Sequence, residues 1–529
     1  MKFILVLTLL TFVFLSATPP WNIDDLYNFQ RSYERYQQSK FDAGYIPPVP
    51  TSYPKVMNDA CAFVAYWQLY SPDSLEHGGI IEAETGELRY VIQTDNTQES
   101  VIIWSMYKDL FSSAKFDSCT YLSWDYISRF PAYNEETSVY SFYYPVWNSG
   151  LGMLSVIYYT QSCCDSSFIR YGDSCAAFVI DNILPLYTPE PLYNVLHCFV
   201  TAFVAGALSR YGDFRDNIYY TEQAESLAVR AMNWADANPA IGYDNEVWAM
   251  SSGTVVWGLI QSYFRNHPDE VSDWINDYID IYLPDMAPPA GSFDPYIWDN
   301  SWNIWYANGY RALADIAPDT LWYYRYRSLV DYLIQQDTDD DGGIPSSAAH
   351  GDTMDMSWVT TYLVFMGLEG IWDSLPDYDV GATELQLSGT TRPYYIVEDT
   401  LQFSVEITNC GTSDLTSAFA YFICDSDTLF ELNCSLDLGM ATLDTLIWIP
   451  STPGEHTIEW IVSTTGDTNS VNDTLSIHIY ITPISSVDGY LVDSTGSFID
   501  CELSFFSEYD SILPIAITCT DTTTHHFHV

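Results

Sequence analysis

The chain has 529 residues, with 18 Lys+Arg against 70 Asp+Glu and a formal net charge of −52. That balance excludes a nucleic-acid binder, whose affinity comes from Lys and Arg neutralising phosphates, and it disfavours docking on anionic lipid. A hydrophobic share of 48% is enough for a large core and excludes a disordered acidic tail, while aromatic residues reach 16%, with 42 Tyr and 17 Trp.

The chain opens with Met1-Lys2, a near-continuous apolar run from Phe3 to Leu15, and then Ser16-Ala17. One positive charge, a short apolar stretch and small residues describe a secretory signal peptide, with cleavage expected near Ala17 or Thr18. The run is shorter than the roughly 20 residues a spanning helix needs; a buried N-terminal helix is the other reading. No other run reaches 18 apolar residues. The expectation is an exported, extracellular or cell-surface protein with no membrane insertion of the mature chain. The 11 cysteines fit an oxidising compartment. They include no Cys-x-x-Cys pair, and their odd number leaves at least one thiol unpaired.

Residues 20–375 read as helical, with amphipathic stretches separated by loops rich in Gly, Pro, Asp and Asn. One set is mixed and charged: Ile23–Ser39, Lys115–Phe130, Phe168–Leu186, Thr221–Ala237, Glu270–Tyr282 and Asp319–Gln336. The other set is apolar nearly all round: Val101–Phe111, Val146–Tyr159, Leu196–Leu208, Thr254–Phe264, Trp302–Ile316 and Ser357–Ile371. The two sets alternate. A helix apolar on every side is buried, and one with a polar face lies outside. Trp104, Trp147, Trp257, Trp305 and Trp358 recur at spacings of 43, 110, 48 and 53 residues, the long gap holding one further unit around His197–Leu208. A period near 50 is one helical hairpin. Six hairpins with buried inner helices predict a closed α/α toroid; an open helical solenoid is the alternative.

The segments leading into the inner helices are rich in carboxylates, amides and flat aromatics. They run Thr94–Glu99, Tyr143–Asn148, Tyr193–His197, Tyr243–Trp248, Asp294–Trp302 and His350–Asp355. Aromatic faces stack on sugar rings, and Asp, Asn and Gln bond hydroxyls. Asp, Asn and Ser before helices can equally be N-caps, but caps do not require the Tyr and Trp. Here the chain resembles the six-hairpin α/α toroid proteins, many of them glycosidases or polysaccharide lyases that work at such a rim. The resemblance implies a carbohydrate-active protein, with a glycan or cell-surface polymer as partner.

Glycoside hydrolysis needs a protonated acid and a second carboxylate. The candidates are Glu99, Glu246, Asp355, Asp95, Asp299 and Asp352, with Tyr144, Trp147, Tyr193, His197, Trp248, Trp298 and Trp302 as substrate-binding residues. A lyase would use a base such as His197 or His350 beside a positive clamp, and these segments hold no Lys or Arg. A non-catalytic binding or adhesion scaffold is the alternative from a different class. It predicts the aromatic rim without a close carboxylate pair.

Asp337-Thr338-Asp339-Asp340 resembles the Asp-x-Asp-Asp motif of class II terpenoid cyclases, whose middle Asp protonates an alkene. Four acids in five residues beside Gly342-Gly343 read as solvated, which that chemistry does not allow. The same stretch, continued to Ile344, matches the opening of a calcium loop, Asp-x-Asp-x-Asp-Gly-x-Ile. Asp337, Asp339 and Asp341 would converge on calcium and Gly343 would add a carbonyl. Position 12 of the loop is Ala348 instead of Glu. An acidic, solvated turn is the simpler reading.

From Pro376 the pattern changes. Residues 376–529 carry 23 Asp+Glu, one Arg (Arg392) and no Lys. Apolar residues alternate with period two: Leu401, Phe403, Val405 and Ile407, then Ile458, Trp460 and Val462, then Leu475, Ile477, Ile479 and Ile481. Turn signals fall between these runs, which predicts a β-sandwich over residues 382–482. Three pieces resemble the adhesion-related immunoglobulin-like modules called CARDB: Ile407–Gly411, Trp448–His456 with its Pro453-Gly454, and Asn469–Asp473. Val487–Asp493 with Gly496 resembles the first strands of a carboxypeptidase-regulatory-like module, which 484–529 would hold only in part. The terminal His525-His526-Phe527-His528 reads as a strand end.

Overall fold

The computed structural model describes residues 52–134, 143–182, 191–237, 246–274, 299–317, 320–347, 354–388 and 395–482, with four short strands between 488 and 528. The helices alternate between outer and inner positions. The outer ones are α1 (Tyr53–Tyr66), α3 (Asp117–Arg129), α5 (Ile169–Asn182), α7 (Ile218–Ala237), α9 (Val271–Trp274) and α11 (Thr320–Ile334). The inner ones are α2 (Thr94–Leu110), α4 (Tyr143–Cys163), α6 (Pro191–Arg215), α8 (Glu246–Leu259), α10 (Asp299–Ile316) and α12 (Ser357–Tyr362). A π-helical stretch, Ile260–Phe264, prolongs α8; Leu363–Leu368 and a last α-helical turn, Glu369–Trp372, prolong α12.

Each inner helix packs against the next, and α12 packs back against α2, so the ring is closed and the open solenoid is excluded. The core of the ring is aromatic. Trp147 stacks on Phe203 with ring centroids 3.9 Å apart, and Trp257, Trp305 and Tyr362 complete a plug across the middle. Trp104, Trp257 and Trp305 are all buried, as inner positions require. The helices approach closely where side chains are absent. A Cβ on Gly258 would lie 2.1 Å from the carbonyl oxygen of Ala202, so only glycine lets α6 and α8 meet there.

The first outer helix is α1, a segment the apolar pattern does not single out. Ser52 caps it, accepting the Lys55 N–H at 3.2 Å, and Pro54 occupies its first turn, where the missing N–H costs nothing. The expected helix Ile23–Ser39 lies outside the described residues, as do the N-terminal leader and its cleavage point. No described helix is long and apolar enough to cross a membrane.

Strands begin at Val380. Two sheets form a sandwich, one with the order β4-β10-β9-β6-β7 and the other β3-β5-β8. Their ranges are β3 Val380–Ser388, β4 Tyr395–Ile396, β5 Leu401–Asn409, β6 Leu415–Cys424, β7 Asp427–Leu436, β8 Ala441–Trp448, β9 Gly454–Thr464 and β10 Thr474–Thr482. The alternating residues Leu401, Phe403, Val405 and Ile407 face Ile458, Trp460 and Val462 across the interior, all fully buried. The Trp460 indole N–H crosses between the sheets to the carbonyl of Glu406 at 2.9 Å. Toroid and sandwich meet at Ser52, whose hydroxyl donates to the carbonyl of Asn409 at 2.7 Å while capping α1. Side chains beyond Thr482 are not described, and the carboxypeptidase-regulatory-like resemblance lies among them.

The nine cysteines whose side chains are described are free thiols; the side chains of Cys501 and Cys519 lie outside that set. Burial raises the Cys61, Cys175, Cys198 and Cys410 thiols, which makes them inert packing groups. The described cysteines therefore lend no weight to the expectation of an oxidising compartment.

Candidate functional site: a carboxyl band at the closing seam

The inner helices run in one direction, so their N-terminal ends share one rim. Several of the segments that lead into these helices in the sequence form their first turns in the structure. Asp95 is in the first turn of α2, whose N-cap is Gln93, so Asp95 is not a cap. Its carboxylate faces the positive end of the helix dipole. Glu99 lies four residues on, hence on the same face.

Asp95 and Glu99 are joined by Glu82, a residue that no sequence pattern singles out. Glu82 follows the short strand β1 (Ile80–Ile81), paired antiparallel with β2 (Ile92–Gln93) directly ahead of α2. The Gln93 amide donates to its carboxylate at 3.1 Å, and its carbonyl accepts the N–H of Ser357, the first residue of α12. The three carboxyls have different proton affinities. Burial, then the charge of Asp95, pushes Glu82 up to about 8. Burial raises Asp95 less, to about 6, because backbone N–H groups stabilise its anion. Glu99, only 1% exposed, is raised well above the usual range by burial and by Asp95, although the Thr361 hydroxyl donates to it at 2.9 Å. Asp95 is the least raised of the three and so the readiest to ionise, while burial favours the protonated forms of Glu82 and Glu99.

A second group adjoins the first. Carboxylate oxygens of Glu84, Asp341 and Asp355 lie within 4.8 Å of one another, and so do those of Asp337, Asp339 and Asp341. Asp355 is fully buried; Asp339 and Asp341 are exposed. The expected convergence of Asp337, Asp339 and Asp341 is present. The loop turns back on itself through Gly342, at φ +91°, where a Cβ would strike the backbone of Asp59. Asp337 accepts the N–H groups of Asp341 and Gly342, and Gly343 donates to Asp341 at 2.7 Å. Burial, then the neighbouring Asp340, Asp341 and Asp339, raises Asp337 to about 7. Lys55 pairs with Asp340 at 2.8 Å. These carboxylates are hard oxygen donors of the kind divalent cations take.

The remaining candidates are placed as follows. Trp302, on the first turn of α10, is partly buried, and among the described residues its indole N–H and the Nδ2 of Asn96, beside Asp95, have no partner. Trp147, expected on the rim, is instead 6% exposed and part of the aromatic plug, because α4 begins at Tyr143 and carries it a full turn inward. Glu246, Asp299, Tyr144, Tyr193 and Trp248 sit in the first turns of their helices and His197 in the second turn of α6, all with side chains outside the described set. Asp352, Trp298 and His350 lie outside the described residues.

No family model matches the chain, and no curated protein matches it. Solved structures resemble it. The α-1,6-mannanase GH76A of Salegentibacter sp. HEL1_6, an inactive variant in complex with α-1,6-mannotriose, is 9% identical with a TM-score of 0.43, covering 60% of this chain and 99% of that one. The GH76 α-mannanase of Bacteroides thetaiotaomicron is 11% identical, TM-score 0.42, covering 60% and 95%. The CARDB domain of a Pyrococcus furiosus protein, in complex with di-metal ions, is 17% identical over 20% of this chain and 90% of that one, with a TM-score of 0.18. Likenesses this distant assign no activity; the toroid and the sandwich rest on the packing described above.

Proposed function

We propose that this chain is an exported, carbohydrate-active protein, and that it hydrolyses glycosides at the rim where α2 meets α12. The observation that carries the reading is the Asp95–Glu82–Glu99 set. Hydrolysis of a glycoside needs one carboxyl that keeps its proton at neutral pH and one that does not, and environments that push proton affinities apart define such roles. Asp95, the partly exposed member, is the carboxylate that acts on the sugar or its attacking water. Glu82, also lying against Asp95, is the acid that protonates the leaving oxygen. Glu99 touches no substrate. It is a positioning residue that holds a proton beneath Asp95 and keeps the set from carrying three charges. Trp302 supplies an apolar face and an indole N–H for a sugar hydroxyl. Calcium is part of this reading: bound by Asp337, Asp339 and Asp341, it would fix the loop between α11 and α12 that borders the site.

The test is reducing-sugar release and binding on a glycan panel. Asp95→Asn and Glu82→Gln should each lower turnover by about 10²–10⁴-fold while glycan binding persists. Binding with no turnover in the unaltered protein would favour the adhesion-scaffold reading. Neither binding nor turnover on any glycan would overturn the carbohydrate assignment.

A further inference from the structure

At the end of the ring opposite the carboxyl band, the inner helices open into a cavity of about 460 Å³. Its walls are the C-terminal parts of α6, α8, α10 and α12, beyond the aromatic plug. Three arginines line it, Arg210, Arg265 and Arg311, in a chain with only 18 Lys+Arg against 70 Asp+Glu.

The local charges do not cancel. Glu369 takes the Arg311 guanidinium at 2.8 Å with one oxygen and the Tyr158 hydroxyl at 2.7 Å with the other. Burial would raise this carboxyl, but Arg311 and Arg210 outweigh it and hold Glu369 below the ordinary range, so it is ionised. Asp315 is the other acid of the wall. Three cations against two carboxylates leave one positive charge.

Several donors are also unspent. Arg210 lies over the Tyr158 ring and, among the described residues, gives one side-chain hydrogen bond, to that hydroxyl at 3.2 Å. Arg265 gives one to Gln261 at 3.3 Å. Asn308, 94% buried and facing the cavity, makes no hydrogen bond among the described residues. The Asn308 amide therefore opens onto the cavity with its donors and acceptor free for a ligand.

We propose that this cavity is a second binding site, separate from the carboxyl rim, for a small hydroxylated carboxylate of monosaccharide size. Guanidinium groups match a carboxylate in a planar, charge-assisted fork. The Asn308 amide serves a hydroxyl, and Trp257 and Phe365 provide the apolar wall on which a sugar face rests. The volume is that of a small-molecule site, which spans about 300–1,000 Å³. The rim carries excess negative charge and repels such a ligand, so the two ends of the ring select opposite chemistries.

Calorimetric titration of the full chain with glucuronate, glucose and sodium sulfate tests this. Glucuronate should bind, with glucose and sulfate each weaker by at least about tenfold. Arg265→Gln alters an exposed side chain and should weaken glucuronate by about tenfold or more. Asn308→Ala, which removes no charge, should do the same while leaving the unfolding midpoint within a few degrees. Absence of heat with glucuronate up to about 10 mM, the weakest affinity such a site would show, overturns the proposal. So does equal binding of sulfate, or affinity unchanged in both variants. Glycan turnover at the rim is a separate readout, and Arg265→Gln should leave it unchanged.

Discussion

Replacing Glu82 by Gln isolates the energetic claim behind the carboxyl band. In the folded protein burial and the Asp95 charge hold Glu82 at about 8, against an ordinary value of 4.5. In the unfolded chain it ionises at the ordinary value. Between those two pH values the folded state holds a proton that the unfolded state has lost, so stability falls as pH rises. At about 1.36 kcal/mol per pH unit, the span amounts to about 5 kcal/mol, an upper figure that local relaxation will reduce. Gln removes the titration and keeps an oxygen to accept the Gln93 amide, which donates at 3.1 Å. Urea unfolding of both proteins, from about pH 4.5 to about 8.5, reads the difference. Near the acid end the two should match within about 1 kcal/mol, since both side chains are neutral there. By the alkaline end the Gln variant should be more stable by several kcal/mol, on the order of the shift itself. A constant offset across the range would refute the argument, because it would mean that Glu82 ionises as readily folded as unfolded.

Asp95→Asn should lower turnover by about 10²–10⁴-fold, as loss of an acid–base carboxyl does, and should also let Glu82 titrate closer to its ordinary range, which the pH profile of unfolding would show. Calcium at about 100 times its dissociation constant should add about 2.7 kcal/mol to stability and raise the unfolding midpoint; Asp339→Ala should remove that rise, and an unchanged midpoint in the unaltered protein would exclude calcium from the loop. Gly258→Ala should cost about 1–3 kcal/mol or more in chemical unfolding, because its methyl group meets the backbone of α6. Trp460→Ala should destabilise the sandwich by about 3–5 kcal/mol, removing both its buried ring and its bond to Glu406.

The ring was legible in the sequence because burial on all sides leaves an unmistakable pattern. Trp104, Trp257 and Trp305 repeat at hairpin spacing, and each is buried. The sandwich was legible for the same reason in period two, through Phe403, Val405, Trp460 and Val462. What local pattern could not show was α1, a helix named by its cap and its proline more than by its periodicity. Nor could it separate rim from plug. Trp147 lies in a segment as aromatic as its counterparts, and only the start of α4 decides that its ring points to the centre. Glu82 was invisible for another reason. It belongs to no helix, and its role arises from Asp95 and Ser357, partners 13 and 275 residues away.

That last separation has a physical source. A closed ring must join its first inner helix to its last, and that joint brings residues from opposite ends of the toroid sequence together. Here the joint is acidic on both sides: Asp95 and Glu99 come from α2, Glu82 and Glu84 from the segment before it, and Asp341 and Asp355 from the segments before α12. Closing the ring therefore buries carboxyls against carboxyls. Two responses relieve the repulsion, protonation and cation binding, and the seam shows the means for each. Burial favours the protonated forms of Glu82 and Glu99, while carboxylate oxygens of Asp337, Asp339 and Asp341 lie close together. A protein built this way couples the closure of its ring to the protonation of its site. Conditions that strip those protons should loosen the α2–α12 seam before they disturb the apolar contacts between α4, α6 and α8. Amide hydrogen exchange would show the order: with rising pH, after correction for the intrinsic exchange rate, protection should fall first in α2 and α12. Uniform loss around the ring would show that the seam carries no special cost.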